Sequence, residues 1–219
     1  MKTAVILGVG GLGCPAALAL KESGVPLRLV LIDSDRVERS NLARQILFTG
    51  EDVGQPKAEV AARKLGDAEA RVVRFEGSTA ADLLSGCDVL LDGTDNFESR
   101  FLANDEAVAR GIPLVHGAAL GWSGQLLTIL PGRSACLRCL FEGPPKDMPT
   151  CAEAGVLAPL CGVVGAAMAK AALAVLSGTA EAGVLHRWDA LRGTHRPLQL
   201  QRDPGCAACG RAASYNRVL

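Results

Sequence analysis

The chain is predicted to fold as an α/β domain whose parallel N-terminal half continues into a mixed sheet. Three observations carry this expectation. Short apolar segments alternate with helical ones as far as Gly117, the pattern of a parallel sheet covered on both faces. A glycine-rich turn, Gly8-Val9-Gly10-Gly11-Leu12-Gly13, joins the first apolar segment to the first helix. Beyond Gly117 the alternation stops, and the later strand candidates lack crossover helices.

In order, strands are read at Thr3–Leu7, Leu27–Ile32, Arg71–Phe75, Asp88–Leu91 and Ile112–Val115. Helices are read between them at Leu12–Ser23, Lys57–Leu65, Ala80–Leu84 and Phe97–Arg110. Leu126–Leu130, Val184–Trp188 and Pro197–Gln201 follow as strands. Gly132 to Pro159 is rich in Pro, Gly and Cys without a clean period, and is read as one long functional loop. Leu160–Leu176 is apolar nearly all round, which suits a helix buried in the core or at a subunit interface. The uncharged stretch Ala154 to Ala169 is shorter than a bilayer span and is assigned to that helix, not to an anchor.

Composition narrows the function classes. Lys+Arg and Asp+Glu balance at 23 each, so no global field recruits nucleic acid or an anionic membrane. Aromatic residues are scarce, which argues against a base-stacking surface. The apolar start to Leu12 lacks a small-residue cleavage site and contains the glycine turn, so it is not read as a leader. A cytoplasmic location is expected, where the eight cysteines are thiols, metal ligands or nucleophiles before they are disulfides.

A glycine turn between strand and helix lets phosphate groups approach backbone N–H groups at a positive helix end. Asp33 closes the next strand, where a carboxylate can accept ribose hydroxyls. These features alone say only nucleotide, and they allow an NAD-dependent oxidoreductase. The run from Asp33 through Asp35, Ser40, Asn41 and Arg44 to Gln45, then Gly54-Gln55-Pro56-Lys57 and Asp92-Gly93-Thr94-Asp95-Asn96, points elsewhere. Hydride transfer has little use for two fixed cations and a carboxylate around the phosphates. Adenylate formation does: Arg and Lys clamp the triphosphate while a carboxylate holds Mg²⁺. Taken singly, Arg44 and Lys57 are also readable as solvated charges, and Asp95 as the cap of the helix opening at Phe97.

Cys136-Leu137-Arg138-Cys139 and Cys206-Ala207-Ala208-Cys209 are two CxxC pairs. Together they supply the four thiolates of a closed structural Zn²⁺ site that would pin the C-terminal tail to the middle of the chain. Redox dithiols or incidental thiols are the competing readings. Cys14, Cys87 and Cys161 are assigned to the core, and His116, His186 and His195 are treated as structural.

In combination, GxGGLG, D-x-D-x-V-x-x-SNLxRQ, GQPK and DGTDN resemble the ThiF/MoeB/HesA family, bacterial relatives of ubiquitin-activating enzymes, over nearly the whole chain. The resemblance implies a Rossmann-like E1 adenylation fold and one domain, 1–219. Its first half, 1–117, would bind nucleotide; its second, 118–219, would bind the carrier and bear the zinc. The implied activity is ATP-dependent adenylation of the C-terminal Gly-Gly carboxylate of a small ubiquitin-like sulfur carrier of the ThiS or MoaD type. The alternative is a non-catalytic nucleotide-binding scaffold.

Carried across, the family's pattern implies that Gly11 and Asp33 bind the nucleotide and that Asn41, Arg44 and Lys57 engage its phosphates. Asp95 would hold Mg²⁺, and Gln45 would line the site. The expected nucleotide set is completed by Gly8, Gly10, Gly13, Asp35, Ser40 and Asn96. The zinc-bearing members share the two CxxC pairs. Cys151 matches the cysteine that becomes linked to the activated carrier in ThiF-like enzymes, with an unreactive loop thiol as the alternative. Sulfur would come from a separate donor, a cysteine desulfurase or sulfurtransferase, because no rhodanese-like domain is present. Family members are homodimers that carry, before the first strand, a helix whose arginine reaches the neighbouring ATP site. Here the chain opens with the strand, so either the start codon is misassigned or another cation, Arg100 or Arg138, takes that role.

Overall fold

Lys2–Leu7 (β1) is buried after its first residue, as expected of a strand in mid-sheet. It pairs in parallel with Leu27–Ile32 (β2) on one side and Val89–Asp92 (β4) on the other. The computed structural model of the chain, which describes residues 1–141, 143 and 155–210, builds outward from this strand. Gly13–Glu22 (α1) follows β1, Lys57–Leu65 (α2) leads to the edge strand Ala68–Arg71 (β3), and Ala80–Leu83 (α3) precedes β4. Phe97–Arg110 (α4) crosses to Leu114–Leu120 (β5), which turns into the antiparallel Ser123–Ile129 (β6). Leu137–Leu140 (α5), Ala158–Leu176 (α6), Val184–Asp189 (β7) and Thr194–Gln199 (β8) complete the chain. The sheet order is β3-β2-β1-β4-β5-β6-β7-β8, parallel through β5 and antiparallel beyond it.

Alternate residues of β1 feed two cores. Ala4 and Ile6 pack with α1, α2 and α6; Val5 and Leu7 pack with α3 and α4 and with Cys136, Cys206 and Cys209. By length and composition α6 would pass for a membrane span. Leu160, Val164, Met168 and Ala172 nevertheless bury one side of it in the first core. Gly165 permits its close approach to α1: a Cβ there would lie 2.5 Å from Pro15.

The fold class agrees with the sequence reading; several boundaries do not. The strand expected at Arg71–Phe75 is Ala68–Arg71, because the edge pairing uses Ala68, Glu69 and Ala70 against Leu29–Leu31. The fifth strand runs on to Leu120 through its hairpin with β6, and the last strand begins earlier, at Thr194. The span read as one loop contains α5 and the first residues of α6.

Candidate functional site

Between β1 and β4 the strand order reverses direction, and in open α/β sheets such a point opens a crevice at the carboxyl ends of the strands. A cleft of about 270 Å³ lies there. Gly8, Gly10 and Gly11 form one wall, and Asp33, Asp35, Arg44, Gln45, Lys57, Asp95 and Asn96 also line it. The glycine turn is sterically required. Gly8 has φ +84°, and a Cβ on Gly13 would lie 2.0 Å from the Gly8 carbonyl oxygen. Gly13 thus closes the turn from beneath without lining the cleft.

Asp33 organises this wall. Its Oδ2 accepts the Val9 N–H at 2.7 Å and its Oδ1 the Asp35 N–H at 2.8 Å, leaving lone pairs on both oxygens. Burial pushes the Asp33 carboxyl up, opposed by the Lys57 charge and the two N–H groups. Lys57 is not a solvated charge: its side chain is only 8% exposed, and Nζ sits 2.8 Å from Asp35 Oδ2. Arg44 lays its stem 3.6 Å from where a Gly11 Cβ would stand, while Nη1 donates to the Ser40 carbonyl at 3.3 Å. Ser40 and Asn41 lie on the adjacent 3₁₀ turn Arg39–Asn41 and are not among the lining residues.

Gln45 is 3% exposed, and its Oε1 has no hydrogen-bond partner among the described residues. A buried acceptor left open at a cleft wall is a ready partner for a bound donor. The helix cap alternative for Asp95 does not hold, since Asn96 Oδ1 receives the Ser99 N–H at 2.8 Å. Asp95 is exposed at the cleft, with no partner among the described residues. Such a carboxylate, facing a site with four nearby cations, suits a hard divalent ion such as Mg²⁺ beside a polyphosphate. Two of those cations, Arg74 and Arg100, were not in the expected nucleotide set. Arg138, the other candidate for a substitute cation, is engaged elsewhere: it pairs with Asp105 at 2.7 Å and covers the Phe101 ring.

Two further corrections concern side chains read as inert. Cys161 is buried as expected, yet it lines the cleft floor. His116 has a partner constellation after all: its Nδ1 lies 2.8 Å from Asp92 Oδ2 inside the sheet. No sequence pattern exposes that pair, because only strand register sets the two residues side by side.

The sulfurs of Cys136, Cys139, Cys206 and Cys209 lie within 4.8 Å of one another. The Cys136–Cys206 and Cys139–Cys209 separations are 3.7 and 3.4 Å. A tetrahedral zinc with bonds of about 2.3 Å requires sulfurs roughly 3.8 Å apart, so the four thiols fit the ion. Buried Asn104 on α4 steadies the group, accepting the Leu137 N–H at 2.8 Å and pointing Nδ2 at Cys136 Sγ. Cys151 lies outside the described residues.

Comparison with known proteins follows the same lines. The pattern of the ThiF family matches residues 2–208. The chain is 43% identical over 221 residues to the sulfur carrier protein adenylyltransferase of Thermus thermophilus, covering 94% of this chain and 81% of that protein. It is 40% identical over 214 residues to the sulfur carrier protein ThiS adenylyltransferase of Escherichia coli, covering 94% and 85%. The crystal structure of Escherichia coli MccB with ATP superposes with a TM-score of 0.82 at 22% identity, covering 95% of this chain and 67% of that one. That likeness establishes a shared fold.

Proposed function

The chain belongs to the ThiF family, and from that premise we propose that it is an ATP-dependent adenylyltransferase for a ThiS- or MoaD-like sulfur carrier. The observation that carries this reading is the convergence on the glycine turn of Arg44, Lys57 and Asp95, the last unpartnered among the described residues. A nicotinamide site needs none of the three. A scaffold that had lost chemistry would have no reason to keep them aimed into one cleft.

In this reading the N–H groups of the glycine turn and the Arg44 and Lys57 cations receive the triphosphate, and Asp33 orients the ribose. Mg²⁺, held by Asp95, would neutralise charge on the phosphate oxygens. The carrier's terminal carboxylate oxygen attacks the α-phosphorus, forming the acyl–phosphate bond as the bond to pyrophosphate breaks. Lys57 and Arg44 stabilise the negative charge that develops on the leaving pyrophosphate. The second half, 118–219, would dock the carrier. The four cysteines would hold a structural Zn²⁺ that supplies stability and no chemistry. We assign to Cys151 a part in the later sulfur transfer, with sulfur delivered by a separate cysteine desulfurase or sulfurtransferase. A cytoplasmic homodimer is the working assembly.

ATP–pyrophosphate exchange with Mg²⁺ and a panel of Gly-Gly-ended carriers tests the proposal. Exchange should require one carrier and fall by about 100-fold or more in Lys57→Ala, the scale of a lost transition-state cation. Measurable ATP binding without exchange from any carrier would favour the scaffold.

A further inference from the structure

Behind the cleft, the parallel register of β4 and β5 sets Asp92 beside His116. Their side chains are 0% and 2% exposed. Burial would push the Asp92 carboxyl up; the His116 hydrogen bond, the His116 and Arg100 charges and the Thr94 hydroxyl outweigh it and hold it below the usual carboxylate range. Asp92 Oδ2 is therefore the acceptor, and His116 Nδ1 carries the proton.

The other carboxylate oxygen accepts the Thr94 N–H at 3.0 Å and its hydroxyl at 2.7 Å. With its N–H and hydroxyl both tied, Thr94 presents its carbonyl to α4, where it accepts Arg100 Nε at 3.1 Å and Nη2 at 2.9 Å. Arg100 also lies over the Phe97 ring and lines the cleft. A continuous relay of hydrogen bonds thus runs from the interior of β5 to a cation at the nucleotide site. Its last two members, Thr94 and Arg100, line the cleft, while Asp92 and His116 stay behind it.

We propose that His116 is a positioning residue: acting through Asp92 and Thr94, it fixes where the Arg100 guanidinium meets the anionic nucleotide. The inference rests on the nucleotide reading above. A merely architectural histidine would alter stability alone; a positioning histidine also alters ATP affinity, and does so only while Arg100 is present.

The test is a double-mutant cycle read by calorimetric titration of ATP, with melting temperatures recorded alongside. His116→Phe keeps a ring and loses the donor. His116→Asn restores an N–H at the same δ position, and His116→Gln places it one atom farther out. His116→Phe should weaken ATP binding about tenfold, the size of one lost charge-assisted hydrogen bond. His116→Asn should recover to within about threefold, since the donor is regained. In an Arg100→Ala background, His116→Phe should add no further loss. Should His116→Phe fail to fold, the Asn and Gln variants carry the comparison, with Gln the weaker binder. Unchanged affinity in the Phe or Gln variant, or a full additional loss without Arg100, would overturn the inference. ATP binding without pyrophosphate exchange would sink the adenylation reading and leave this one to the cycle. A wild-type chain that binds no ATP would overturn both.

Discussion

Removing the Cys206–Cys209 arm of the cysteine cluster has a calculable cost. Cys136 and Cys206 approach to 3.7 Å across a separation of 70 residues. A bound zinc would therefore close a loop of that length, which the chain-closure relation values at about 4 kcal/mol of denatured-state entropy. In a chain of this size each kcal/mol corresponds to roughly 2–4 °C in the melting midpoint. A Cys206→Ala/Cys209→Ala variant should melt about 8–16 °C lower than the wild type, on the same relations. Circular dichroism melting, paired with elemental analysis of zinc, is the assay. The wild type should carry stoichiometric zinc and the double variant none, and a strong chelator should bring the wild type down to the variant's midpoint. Metal-free wild type from a gentle purification, or a midpoint indifferent to chelator, would refute the reasoning.

Two other perturbations probe the frame of the cleft and the loop beside it. Gly13→Ala drives a methyl to 2.0 Å from the Gly8 carbonyl oxygen; with backbone on both sides the strain should exceed about 3 kcal/mol. The variant should be insoluble or melt far lower, and a soluble protein with the wild-type midpoint would contradict the close turn. Asp52 accepts the Thr49 N–H at 2.8 Å and bonds Lys64; the Lys64 hydrogen bond holds its carboxyl below the ordinary range. A lowered folded-state pKa stabilises above the ordinary carboxylate range, and that stability is lost as pH falls through the folded value. Asp52→Asn should therefore cost about 1–2 kcal/mol at neutral pH, and denaturant titrations should show the gap closing in acid. A gap that stays constant into strong acid would refute the assignment.

The sequence made visible what local chemistry dictates. The turn from Gly8 to Gly13, the carboxyl-end carboxylate Asp33 and the two CxxC pairs are each contiguous, and each demands one geometry. Helix starts at Lys57 and Phe97 were legible for the same reason. Edge strand β3 was misplaced because Val72, Val73 and Phe75 look more like a strand than Ala68, Glu69 and Ala70 do. Pairing with β2 decides that edge, and β propensity yields to it. The buried Asp92–His116 pair was hidden because strand register, a tertiary property, creates it; Arg100 was legible only as one of two substitute cations, and helix orientation decides between them. Arg138 shows the converse: its charge suggests a substitute cation for the nucleotide site, and Asp105 accounts for it.

The nucleotide cleft draws its floor from both sides of residue 117. Val156, Cys161 and Ala119 meet the glycine turn there, and Gly165 locks α6 against Pro15 of α1. Among the described residues, one core and one cleft therefore span the point where the repeating pattern ends. Severed at that point, the two fragments would each expose half of one hydrophobic core, and neither would own a complete binding site. Nucleotide recognition would become a bimolecular event, set by how much of each fragment were present.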